Sequence, residues 1–404
     1  MDRTSKQALS VFLLAFSVRV VGAVVTTVTT LNPDSRADAV RFGNGAEAIA
    51  RGLPTGQPFR YTADAVELYQ VLNPIAGSDT ILTWGIFISP FWLLPGPSGL
   101  YARLGNGLLG AIAIYHVYRI GRYYYSHQAG VLAALPMILY PSFVAVQTTL
   151  LRDVFVFFGI VTAARLLVLP PKRLNRWLSY GLAYAMLHLA LIHRQLNVVL
   201  YVGAITAGIA TYVIVSRDLY KETIGLGALS GPVVYVLSLP LIRSGITRLA
   251  RIRRLRASGR AVYLPNVIPQ TLPELISFSW IGAAYFLYAP FPWMVRTAPD
   301  LIVSLEGIST LAFTICAVWG VRSMGRKDVP VTVGLVVGLV LAVVFYGVGT
   351  VNYGTGQRHR QMVLWVIFLF GGIGITEHVK LVWPFPQRRS PPEGTATSDS
   401  SQTE

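Results

Sequence analysis

The sequence predicts an all-α protein, a polytopic transmembrane helical bundle with about ten spans and two further helices that dip into or lie along the membrane. Three observations carry that expectation. Hydrophobic residues make up 53% of the 404 and charged residues only 13%, roughly half the charged share of an ordinary soluble domain. Many apolar runs approach the roughly 20 residues that a helix needs to cross the hydrocarbon, whereas a barrel would show short alternating segments. The basic residues fall mainly between those runs, as they do in proteins oriented by loop charge.

Taken in order, the spans are expected at 9–31, 99–120, 129–148, 151–169, 178–192, 198–215, 224–242, 301–321, 331–348 and 362–375. The first is too long for a signal-peptide core and lacks a small-residue cleavage site, so it reads as a retained membrane helix. Residues 81–94 and 275–293 are apolar but interrupted by Pro90, or by Pro290 and Pro292. A proline removes a backbone donor and breaks a helix, so both read as membrane-dipping or interfacial helices on the external side. Residues 1–380 form one transmembrane domain. The tail, 381–404, is rich in Ser, Thr and Pro and poor in apolar residues, and is expected to be a disordered cytoplasmic segment.

With this count, Arg3, Lys6, Arg119, Arg122, Lys172, Arg173, Arg176, Arg217, Lys221, Arg322, Arg326, Lys327, Lys380, Arg388 and Arg389 share one face, which loop charge makes cytoplasmic, with both termini, in a plasma-membrane protein. The net charge of +16 is thereby explained by retention and lipid phosphates, and nucleic acid is not an expected partner. The single Cys316 rules out an internal disulfide. No phosphate-binding glycine loop and no Cys/His metal cluster is present.

The same count sends Asp34, Asp38, Arg152, Asp153, His193, Arg194, Asn352, Arg358, His359 and Arg360 to the external face. Carboxylates that can take a proton or hold a metal, gathered with guanidinium groups that grip phosphate through two parallel bonds, suit an anionic lipid-linked substrate. Snorkelling at helix ends is the bland account. Asp34 follows Asn32-Pro33 and suits a turn or helix cap. Glu306 lies several residues inside a span, where an ionisable group is costly; it is either functional or the partner of an arginine such as Arg296. The run from Arg248 to Arg256, with Arg260, reads as an amphipathic basic helix whose apolar side is Leu249, Ile252 and Leu255. It lies on the external side by this count, against the charge rule. Either it binds the phosphate or a glycan acid of the substrate, or the count is off by one span and it is an ordinary cytoplasmic loop.

Asp38-Ala39, Phe42, Ala46 and Gly52 after the first span together resemble the first external loop of the multi-span C-type glycosyltransferases that use polyprenyl-phosphate sugars. That superfamily includes protein mannosyltransferases and lipid A aminoarabinose transferases. Leu150-Leu151-Arg152-Asp153, Pro290-Phe291-Pro292-Trp293 with Glu306, and the stretch from Asn352 to Arg360 continue the resemblance. It implies a glycosyltransferase of the hexosyltransferase type that moves a sugar from a polyprenyl or dolichyl phosphate to a glycan or glycolipid on the external face. It makes Asp38 the base, with Asp153 and Glu306 as further catalytic candidates. Arg358 and Arg360 become a phosphate clamp on an irregular segment through residues 354–357, assisted by Arg152 and Arg194. A divalent metal on Asp38 and Asp153 stays open, because the chain has no adjacent pair of acidic residues at this place. An oligosaccharide polymerase or ligase with a pyrophosphate-linked donor is the nearest alternative. A lipid-linked saccharide transporter is the alternative from another class, although no repeated halves are visible.

Overall fold

The computed structural model describes residues 3–29, 36–55, 79–171, 173–194, 197–257 and 259–379. Asp34 and the expected tail lie outside the described residues. The helices are α1 (Arg3–Val28), α2 (Arg36–Gly52), α3 (Asp79–Ile88), α4 (Ser98–Tyr124), α5 (His127–Leu139), α6 (Pro141–Gln147), α7 (Asp153–Val168), α8 (Arg176–His193), α9 (Val198–Arg217), α10 (Tyr220–Arg256), α11 (Leu272–Tyr288), α12 (Ala298–Gly325), α13 (Val329–Gly349) and α14 (Tyr353–His378). Five of them are long and apolar enough to cross a membrane: Ser5–Val28 within α1, and α9, α12, α13 and α14. The bent pair α5 and α6 makes six if it is one broken span. The protein is an all-helical integral membrane protein among its described residues.

The centre of the bundle is α14, buried along most of its length from Tyr353 to Gly374. It can sit there because glycines let α12 approach its backbone. A Cβ on Gly320 would lie 1.8 Å from the Phe370 carbonyl oxygen, and one on Gly374 would lie 2.0 Å from that of Cys316. Small residues replace the hydrophobic effect as the means of bringing helices together in lipid. Gly320→Ala should therefore push the two helices apart and cost about 1–3 kcal/mol or more, read as a lower thermal midpoint of the purified protein.

The run at 129–148 is not one straight span. It bends by 69° between α5 and α6, because Pro141 has no N–H to give the Met137 carbonyl. Arg19, fully buried in α1, donates to that carbonyl at 2.9 Å. The same guanidinium donates through Nε and Nη2 to Gln147 Oε1 at 2.8 and 2.6 Å. Gln147 then donates to Gln361 at 3.2 Å, and Gln361 to the Ser142 carbonyl at 3.2 Å. Such stitching is required where no water can satisfy freed backbone groups.

Two other expectations change. The span at 224–242 and the basic run are one continuous helix, the 37-residue α10. Its buried positions near the end are Ile246, Ala250 and Arg253, while Leu255 is exposed. Arg253 therefore faces protein, donating to the carbonyls of Val348 (2.7 Å), Val267 (3.0 Å), Leu264 (3.3 Å) and Thr350 (3.3 Å) and lying 4.6 Å over the Phe278 ring. It fastens the segment after α10 to the end of α13. Burial pushes the Tyr263 phenol in that segment above its ordinary range.

The helix α11 does not traverse the bundle. Phe278, Gly282 and Phe286, on successive turns, meet Arg253, Gly347 and Tyr346, all at one end of it. At the opposite end, Lys327 donates to the Tyr124 carbonyl at 2.5 Å and Tyr124 to Asp328 at 2.9 Å, joining α4, α12 and α13.

Candidate active site

At the end where α11 lies, the connection before α7 is held from three sides. Thr26 donates to the Thr148 carbonyl at 3.1 Å, Asn106 to those of Thr149 (2.6 Å) and Leu151 (3.3 Å), and Trp84 to that of Leu150 (3.0 Å). These bonds fix the start of α7, where Asp153 is 1% exposed. Asp38 sits in the first turn of α2, not on an external loop as the sequence suggested.

Arg358 joins the two acids. Its Nη1 donates to Asp38 Oδ2 at 2.6 Å, and its Nε and Nη2 donate to Asp153 Oδ2 at 3.1 and 2.9 Å. Arg194, at the end of α8, donates to Asp153 Oδ1 at 2.5 Å. Asp153 is thus enclosed by two guanidinium groups, whereas the Asp38 side chain remains 29% exposed. Arg152 acts electrostatically on Asp153 from the adjoining position.

The expected irregular backbone at 354–357 is helix. Asn352 caps it, its side chain accepting from the N–H groups of Gly354 (2.8 Å) and Thr355 (3.4 Å), which satisfies donors that a helix start otherwise leaves open. On a regular helix, residues two apart point about 200° from each other. Arg360 accordingly turns away from Arg358 and donates to the carbonyls of Leu287 (3.0 Å) and Ala289 (2.6 Å) at the end of α11. The two arginines do not form a clamp, and Arg360 closes a helix end. Glu306 is also elsewhere: its carboxylate accepts the Ser142 N–H at 2.9 Å and caps α6 after the bend. The arginine that acts on it electrostatically is Arg360, not Arg296, and no arginine lies within 4.0 Å of its carboxylate among the described residues.

The arrangement does not fit a metal centre built on Asp38 and Asp153. A guanidinium bridges the two carboxylates, and no group of three His, Cys, Asp or Glu converges among the described residues.

Two further features complete the site. Arg256, at the end of α10, is exposed, acts electrostatically with Arg194, Arg358 and Tyr346, and has no carboxylate within 4.0 Å among the described residues. Its only sequence signal was a basic run on the wrong face for the charge rule. The structure puts the end of that run on the same face as Asp38 and Asp153. Arg260 follows it there, donating to Asp300 at 2.6 Å and to Tyr353 at 3.2 Å.

The second feature is an apolar cavity of about 450 Å³ between α7, α8, α9, α13 and α14. It runs from Tyr212 and Pro330 to Asn197, Tyr346 and Met362. At this last end Tyr346 donates to Asn197, and the His359 ring packs 4.9 Å from that of Tyr346. His359 adjoins Arg358 in sequence, so the cavity ends beside the charged cluster. His193 packs its ring against Trp84, Phe87 and Phe155 at 5.1–5.4 Å on the other side of Arg194.

No curated protein and no solved structure matches the chain significantly. Residues 82–241, less than half of the chain, match the family described as dolichyl-phosphate-mannose-protein mannosyltransferase. The matched segment contains Arg152, Asp153 and Arg194, while Asp38 and Arg358 lie outside it. The match supports the resemblance to the C-type glycosyltransferase superfamily, and with it a membrane glycosyltransferase that uses a lipid-phosphate sugar.

Proposed function

We propose that the protein transfers a sugar from a polyprenyl or dolichyl phosphate to a hydroxyl of a glycan or glycolipid at the external face of the plasma membrane. The observation that carries this is an apolar cavity ending at a cluster of acids and arginines. From Asn197 to Tyr212 along α9 the cavity extends about 22 Å at 1.5 Å per residue, most of the ~30 Å hydrocarbon depth. A polyprenyl chain fits such a space, and its phosphate then meets Arg194, Arg256 and Arg358.

The charge balance suits that ligand. Among the described residues Arg194, Arg256 and Arg358 face Asp38 and Asp153, and a phosphate offsets the excess positive charge. Asp38, the more exposed acid, takes the proton of the acceptor hydroxyl as its oxygen bonds to the sugar carbon. The bond from that carbon to the phosphate oxygen breaks, and the polyprenyl phosphate leaves with the electron pair. Arg256 and Arg194 stabilise the charge it gains. Asp153 holds Arg194 and Arg358 in position. Residues 1–380 act as the transmembrane enzyme and 381–404 as a cytoplasmic tail.

The test is release of polyprenyl phosphate from a radiolabelled polyprenyl-phosphate hexose by the purified protein. Arg256→Ala should raise the donor KM roughly tenfold, the worth of one charge-assisted hydrogen bond, with the thermal midpoint unchanged. No turnover of any such donor, or unaltered donor binding by this variant, would refute the assignment.

A further inference from the structure

A second recess lies at the other end of the molecule. It has a volume of about 460 Å³ between the first turns of α1 and the last turns of α4, with Leu9, Phe12 and Ile112 on one side and Tyr115, Arg119 and Arg122 on the other. Asn106, which holds the connection before Asp153, is 13 positions before Arg119 on the same helix. At 1.5 Å per residue this places the recess about 20 Å from the candidate active site.

The recess joins an apolar wall to a cationic rim. Phe12 stacks on Phe16 at 6.1 Å and meets Tyr115 edge-on at 6.4 Å. Arg119 donates to the Tyr115 hydroxyl at 2.8 Å, and Arg122 donates to that of Tyr118 at 3.0 Å. From α7, Thr162 bonds His116 at 3.2 Å, and Arg165, on the same helix face, acts electrostatically on His116 and Arg119. Arg165 Nη1 is buried without a hydrogen-bond partner. Among the described residues, neither Arg119 nor Arg165 lies within 4.0 Å of a carboxylate. Guanidinium groups brought together without an acid favour binding of an external anion.

We propose that this recess binds the headgroup of an anionic phospholipid, its phosphodiester on Arg119 of the lining with Arg165 beside it, and an acyl chain along Leu9, Phe12 and Ile112. An apolar wall continuous with the hydrocarbon favours a lipid over free phosphate. The site is separate from the proposed donor site and independent of any activity assigned to it.

Native mass spectrometry of the full chain, equilibrated with equal phosphatidylglycerol and phosphatidylcholine, tests the site. The unaltered protein should retain the anionic lipid roughly fivefold or more over the zwitterionic one. The paired change Arg119→Gln with Arg165→Gln should bring that ratio near one, while Arg326→Gln, an exposed residue elsewhere on this end, should leave it unchanged. Equal retention of the two lipids by the unaltered protein overturns the proposal without recourse to a variant. So does equal loss in the Arg326→Gln control, which would reduce the effect to general surface charge, or displacement of the lipid by an equal concentration of inorganic phosphate.

Discussion

Asp38→Asn should lower sugar transfer by about 100-fold or more, the usual worth of a positioned general base, in a purified assay with a polyprenyl-phosphate sugar. Asparagine keeps the size of the side chain and can still accept from Arg358, and the site is partly open to solvent. The thermal midpoint should therefore change little. Asp38 also lies in the first turn of α2, where any acid is favoured by the helix dipole. A variant that transfers sugar at a near-normal rate would leave Asp38 with that capping role alone.

Arg358→Ala should affect folding as much as catalysis. Arg358 gives three hydrogen bonds to two carboxylates, one of them 1% exposed. Its removal leaves Asp153 with Arg194 as its direct ion pair and takes away the ion pair of Asp38, whose helix stays packed through Ala39, Phe42 and Ala46. Deleting one partner of a buried pair costs about 3–5 kcal/mol, so the expected result is a marked fall in thermal midpoint together with loss of transfer. Arg358→Lys keeps the charge but loses the planar fork that reaches both acids, and should recover only part of the stability. Wild-type stability in the alanine variant would show that the two carboxylates need no bridge.

The residues of the site were visible in the sequence, but their pairing was not. Asp38, Arg152, Asp153, Arg194 and Arg358 were assigned to one face from loop charge alone, and the structure does gather them at one end. Arg358 and Arg360 looked equivalent because they share a charge and a short segment. They differ because α14 begins at Tyr353, capped by Asn352, and a helix sends them to opposite sides. Two glycines at 354 and 356 suggest an irregular backbone, yet both are buried within the first turn of a regular helix. Glu306 stands out in the sequence as an unusual charge in a span, but the hydrogen bond its carboxylate accepts comes from a backbone N–H freed by a proline 165 positions earlier. No local pattern encodes that.

Helicity and a membrane location are legible in the chain without any contact, because composition and apolar run length decide both. The breaks at Pro90, Pro290 and Pro292 are legible too, since proline acts on its own turn. Which arginines are functional candidates and which are fasteners depends on how the helices pack. Arg19, Arg253 and Arg360 are buried on backbone carbonyls, Arg19 with the Gln147 side chain as well, while Arg194, Arg256 and Arg358 act on one another electrostatically near the Asn197–Tyr346 end of an apolar cavity. The chemical type is the same in all six, and the difference lies in what the fold places opposite each one. A guanidinium out of water must find acceptors, and which acceptors it finds depends on helices that the chain brings together from hundreds of residues apart.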